Sequence, residues 1–271
     1  MINSFGISED ATEESYRELF HNAYTAWEKF IELVKFLEDN GLAKSSAMYR
    51  LSVSSSFQPS AYEILISSAA TAVSNLSFLG NLMLDCINGK REIVPLESIA
   101  SISRVVLISS SRILYVLHPN DDEERKEHLR EVQAANFYSE DVYLKKAQHF
   151  TVLQDYKEKK RPQNENPGKK ITDTEMLNRA MSYVINHVYD LDAEPIKSEL
   201  SKEKMIWMWN IWSGQAHGLY WPMKRPNRTG YISSETMPGE YPVDLELLTA
   251  LTWRAIKVLR DACKFPASPQ Q

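Results

Sequence analysis

The sequence predicts an all-α fold, a bundle of about seven to eight helices, and three observations carry that reading. Apolar residues recur with a helical period over long stretches. Cap and stop signals bracket those stretches. Strand-like alternation is nearly absent, and no internal repeat occurs.

From Thr12 the apolar positions run Tyr16, Leu19, Phe20, Ala23, Tyr24, Trp27, Phe30, Ile31, Val34 and Leu37, and Asn40-Gly41 supplies the stop. The Ser-rich stretch 41–59 lacks a clear period and reads as a loop with room for one short helix. A second long helix is expected over Ala61 to Ile87, ending at Asn88-Gly89. Its small residues, among them Ser68, Ala69 and Ala72, allow a neighbouring helix to approach closely. Pro95 stands where a helix would start, with Glu97 in its first turn. That helix runs through Arg104 and Arg112 to Leu117, where His118-Pro119 ends it.

Asn120 and the acids 121–124 open a further helix, because negative charge favours the N-terminal end of the helix dipole. It is expected to reach Tyr138, with Ser139-Glu140-Asp141 opening another. Residues 157–171 read as a flexible linker, rich in Pro, Asn and Gly. Thr172 and Glu175 form a capping-box pattern for a helix to about Tyr189. Ser201 caps a helix that carries Trp207, Trp209 and Trp212. A long irregular loop, Pro222 to Pro242, leaves room for one hairpin around Gly230. The last helix is expected over Val243 to Phe265, and 266–271 form a polar tail. The chain 1–271 reads as a single domain.

With 43% hydrophobic and 25% charged residues among 271, the chain can bury a full core. That composition excludes collagen-like and wholly disordered classes. A net charge of -5 argues against a general nucleic-acid coat, and no DNA partner is expected. Cys86 and Cys263 are too few and too far apart for a disulfide framework or a zinc site. The N-terminus lacks a basic-then-apolar leader, and the most apolar stretch, Ile64 to Cys86, is broken by Ser and Asn. A cytoplasmic protein without a membrane partner is expected.

Motifs for phosphate loops, nucleophile elbows and zinc helices are missing. No metal or cofactor is therefore expected. The segment Trp209 to Gly218 is the most unusual: Ser213 and His217, four apart, share a helical face, while Gly214 and Gly218 weaken the helix. One reading makes His217 an acid or base, or a phosphate contact, with Ser213 orienting it. The other makes it a buried histidine bonded to Ser213. Arg112 and His118 fit an Arg-then-His spacing, although Pro119 turns His118 away from the helix. Arg104 and Arg112, inside an apolar stretch, need a partner or a wet cleft; Glu63, Asp85 and Glu97 are candidate partners. Arg254, Lys257, Arg260 and Lys264 form a basic stripe on the last helix.

The run Arg104 to Pro119 resembles a block of an uncharacterised, largely actinobacterial family: an Arg, a small-residue helix and an aromatic-Leu-Leu-x-Pro ending. The acidic segment 121–124 with Arg125 and Arg130, and Ser213-x-x-x-His217-Gly218, resemble the blocks that follow. Together they cover roughly residues 60–220. Where that family has a Glu four residues after the Arg, this chain has Ile108. More distantly the plan is similar to HEPN-related bacterial proteins, several of them ribonucleases of stress or phage defence that work as dimers. That resemblance implies metal-independent RNA cleavage, with His217 as acid or base and Arg112 and Arg104 stabilising charge on phosphate. It implies RNA, a second copy or a partner protein as what the chain meets. The alternative is a non-catalytic helical scaffold or ligand-binding module.

Overall fold

A computed structural model describes residues 13–54, 59–90, 94–146, 168–187, 202–216, 231–232 and 240–264. Among them are eight helices: α1 (Glu13–Asn40), α2 (Ala47–Ser54), α3 (Ala61–Ile87), α4 (Leu96–Leu117), α5 (Asp122–Lys146), α6 (Asp173–His187), α7 (Lys202–Ala216) and α8 (Glu240–Cys263). The fold is all-α, as the sequence predicts. Two short strands, β1 (Val94–Pro95) and β2 (Tyr231–Ile232), pair antiparallel. Residues 231–232 pair with the segment that leads into α4, distant in sequence; Gly230 and the residues before it, where a hairpin is expected, lie outside the described residues. His217, the linker residues 157–167, the tail 266–271 and most of the loop 222–239 lie outside the described residues.

Helix α4 is the centre. It packs against α3, α5, α6, α7 and α8, and every residue from Val106 to Leu117 except Arg112 is buried. A helix apolar on all sides has to be wrapped by others. Its span Glu97–Leu117 is long and apolar enough to cross a membrane, yet 67% of its most apolar window is buried among the neighbouring helices. Its small polar residues let those neighbours close in: Ser103, Ser109, Ser110 and Ser111 are all buried, and Ser110 shares a 3.0 Å hydrogen bond with Thr252 of α8. Helix α3, which packs against α4, buries Ala61, Ala69 and Ala72.

Helix α1 buries one stripe, Ala23, Ala26, Phe30, Leu33 and Leu37; of the positions read from the sequence Ala23, Phe30 and Leu37 lie in it, Trp27, Ile31 and Val34 flank it half-buried, and Tyr24 is exposed. It ends at Gly41, where φ is +67° and the N–H donates to Leu37 O at 2.8 Å. Helix α3 ends at Gly89 with the same φ. An added Cβ at Gly89 meets nothing within 4 Å, so only the left-handed backbone would object. Gly89→Ala is expected to lower stability by about 1–2 kcal/mol, read as a shift of the urea midpoint at unchanged slope.

Several helix ends differ from expectation, for local reasons. Helix α2 occupies part of the stretch read mainly as loop, because the Ser46 hydroxyl accepts the Tyr49 N–H at 3.1 Å and caps it. The full capping box belongs to α3: Ser60 Oγ accepts the Glu63 N–H, and Glu63 Oε2 accepts the Ser60 N–H at 2.7 Å. At α6 only half the predicted box forms. Thr172 Oγ1 accepts the Glu175 N–H at 3.2 Å, but the Glu175 carboxylate turns to Arg179 instead. Helix α5 runs on through Ser139, whose hydroxyl bonds back to Ala135 O at 2.9 Å rather than opening a new helix. Helix α8 begins at Glu240, with Pro242 in its first turn where no backbone donor is needed.

Candidate functional site

Arg104 and Arg112 on α4, His118 just past its end and Ser213 on α7, all singled out by sequence, face different surroundings. Arg104 is half-buried, its guanidinium 4.6 Å from the ring centroid of Trp209 on α7. That contact offsets part of its burial cost. Ser213 lies one turn beyond Trp209 on the same face of α7 and is half-buried. His118 stands just past the end of α4, half-buried, with its backbone N–H bonded to Leu114 O at 2.9 Å.

Arg112 is different. It is the one residue of 106–117 that reaches the surface. Among the described residues its guanidinium makes a single long hydrogen bond, Nη1 to Ser68 Oγ at 3.5 Å. Ser68 gives its own proton to Ile64 O at 2.8 Å, so a lone pair is free to accept. No carboxylate of the described residues comes within 4.0 Å of Arg112; the candidates Glu63, Asp85 and Glu97 do not reach it. Burial lowers its pKa, and Asp173 at the start of α6 works in the opposite direction. Arginine keeps its charge even so. A five-donor fork thus sits in a window of the core with most of its donors uncommitted. The arrangement suits a phosphate or carboxylate approaching from solvent.

A second polar cluster went unread in the sequence. Tyr115, fully buried, donates its hydroxyl proton to Glu131 Oε2 and accepts Arg179 Nη1 at 3.2 Å. Arg179 also grips Glu175 Oε1 at 2.7 Å, and Lys169 stands 3.8 Å from the same oxygen. The Tyr115 ring stacks on His128, with centroids 3.9 Å apart and planes at 16°. His128 Nδ1 lies 2.7 Å from Tyr115 O. A carbonyl can only accept, so that nitrogen carries the proton. Burial, then the hydrogen bond and charge of Glu131, raise the Tyr115 pKa against the pull of Arg179. Burial alone would lower the Arg179 pKa; Tyr115, Glu131 and Glu175 outweigh it and raise it. The set ties α4, α5 and α6 together. Each hydroxyl and carboxylate in it already has partners, which suits a clasp better than a proton-transfer site. Only the Glu175-to-Arg179 spacing hinted at it.

At the N-terminal end of α5, Asp122 Oδ2 accepts Arg50 Nε at 2.9 Å, and its Oδ1 accepts Arg125 Nη1 at 3.0 Å. The Arg50 hydrogen bond is the main cause that holds the Asp122 pKa below its usual value; partial burial opposes it, and the charges of Arg50 and Arg125 assist. A depressed carboxylate contributes stability that is fully present above its unfolded pKa of 3.8, and lost as pH falls through the folded value. The stability advantage of the wild type over Asp122→Asn is therefore expected to be steady near neutrality. Urea midpoints should show it shrinking as pH drops below about 4.

Both cysteines are buried and neither forms a disulfide, and burial pushes the Cys263 thiol up to about 12. No group of three or more His, Cys, Asp or Glu among the described residues could hold a metal ion. Comparison of the chain with family models, with curated proteins and with solved structures finds no match in any of the three.

Proposed function

We propose that this chain is a cytoplasmic helical module that engages an anionic partner through Arg112. The observation that carries the reading is the half-buried Arg112 fork, with one 3.5 Å hydrogen bond and no ion pair among the described residues. A guanidinium in an apolar wall is costly unless something anionic meets it in use. RNA is the anion favoured by the resemblance to HEPN-related proteins, in which case His217 would move protons at the phosphodiester, Ser213 would orient it and Arg112 would stabilise developing charge, all without a metal. Arg104, closed over Trp209, fits a packing role better. A reducing compartment suits two buried thiols that form no disulfide.

The second reading, a binding module without turnover, is favoured by the Tyr115 cluster, whose donors and acceptors are spent on joining helices. The two part in one experiment. Wild type, His217→Ala and Arg112→Met are induced in a bacterial host at matched soluble levels, and total RNA is examined. Cleaved RNA with the wild type alone supports a ribonuclease. Intact RNA that co-purifies with the wild type and His217→Ala, but not with Arg112→Met, supports binding without cleavage. Intact RNA that co-purifies with none, or equally with all three, overturns the RNA reading.

A further inference from the structure

Helices α1 and α8 pack side by side and leave a cavity of about 250 Å3 between them, on residues separate from Arg112 and the Tyr115 cluster. Its floor is apolar: Leu33 and Ile256 are both buried. Phe36 and Trp253 wall it, and Phe36 is left 36% exposed although it is a large apolar ring. The Trp253 indole donates to Asn22 O on α1 at 3.4 Å, which fixes that wall. Around the mouth stand Lys29, Lys257, Arg260 and Lys264. Two carboxylates meet them: Lys29 pairs with Glu32 at 3.0 Å, while Asp261 lies 3.6 Å from Arg260 and 3.3 Å from Lys264. Lys257 forms no ion pair among the described residues, and cations exceed acids at this rim.

We propose that this groove binds a small anionic amphiphile: an aromatic or medium-chain apolar body with one carboxylate, sulfonate or phosphate head. The floor and the two rings accept the body, and the rim accepts the head. A cavity of about 150 Å3 already holds a benzene ring, so this one suits a body of one to two rings. A polyanion fits less well, because Glu32 and Asp261 interrupt the positive rim at close spacing. The apolar floor also offers a nucleic-acid backbone nothing, and a lipid surface would need a broader apolar face.

The spacing explains why the pattern is visible only in the fold. Trp253, Ile256, Lys257 and Arg260 lie along one face of α8, with Lys264 just past its end, and Lys29, Leu33 and Phe36 along one face of α1. Each face alone reads as an ordinary amphipathic edge. Their juxtaposition makes a pocket with an apolar base and a cationic lip, the usual division of labour in a small-molecule site.

The test uses the full chain and two fluorescent probes that differ mainly in charge: anilinonaphthalene sulfonate and neutral N-phenylnaphthylamine. The sulfonate is expected to bind saturably at one site, and the neutral probe about tenfold more weakly. Lys257→Glu combined with Arg260→Glu is expected to weaken the sulfonate by about tenfold or more at unchanged helicity and urea midpoint. Arg112→Met should leave that affinity unaltered, which separates this site from the one proposed above. Equal binding of both probes, no effect of the charge reversal, or loss of binding in Arg112→Met each overturns the proposal. So does failure of the sulfonate to bind the folded wild type.

Discussion

Tyr115→Ala is expected to lower the free energy of unfolding by about 3–5 kcal/mol, the largest effect of any single truncation considered. Tyr115 is among the largest side chains with no exposed surface, it stacks on His128, and its hydroxyl bridges Glu131 to Arg179. Truncation removes the ring's contacts, leaves a cavity in the central helix, and strips a partner from a carboxylate and a guanidinium at once. Tyr115→Phe keeps the ring and loses only the hydroxyl; a cost of about 1–3 kcal/mol is expected. Urea unfolding of both variants separates the packing from the hydrogen bonds. A cost for Phe equal to that for Ala would mean that the hydroxyl bridge, not the ring, holds α4 to α5 and α6.

Arg112→Met is expected to do the reverse, abolishing binding while leaving stability unchanged or higher by up to about 1 kcal/mol. The residue is half-buried, flanked by buried apolar and small side chains, and supported by one long hydrogen bond. Desolvating a guanidinium there is costly, whereas methionine has similar reach and no charge to desolvate. Arg112→Lys should bind at an intermediate level, since it keeps the charge and loses the fork. A loss of 2 kcal/mol or more on Arg112→Met, measured by urea unfolding, would instead make the arginine a structural post.

How far the sequence reaches can be seen residue by residue. Helical periods and caps place α1, α3 and α4 closely, because Asn40-Gly41, Asn88-Gly89 and His118-Pro119 stop a helix whatever surrounds it. Helix α5 outruns its expected end, because a Ser-Glu-Asp triplet can cap a helix or sit inside one, and only the bond of Ser139 to Ala135 decides. The short α2 rests on a Ser46 cap hidden among many serines. The pairing of β1 with β2 could not be read, since two-residue strands carry no period.

At the sites, composition showed that Arg104 and Arg112 needed explaining but not how each is met. Trp209 lies 105 positions from Arg104 in the chain, and Ser68 lies 44 from Arg112. Such pairs are chosen by helix packing, which local patterns do not encode. The Tyr115 clasp and the groove between α1 and α8 escaped notice for the same reason: each draws its residues from separate helices.

The most direct test of the account is equilibrium binding of a fluorescently labelled, single-stranded oligoribonucleotide of about ten bases, followed by anisotropy across a salt series. Binding by the wild type that weakens as salt rises, and is lost in a folded Arg112→Met variant, is the predicted result. Equal affinity for wild type and variant, or no binding by the wild type at low salt, would contradict it.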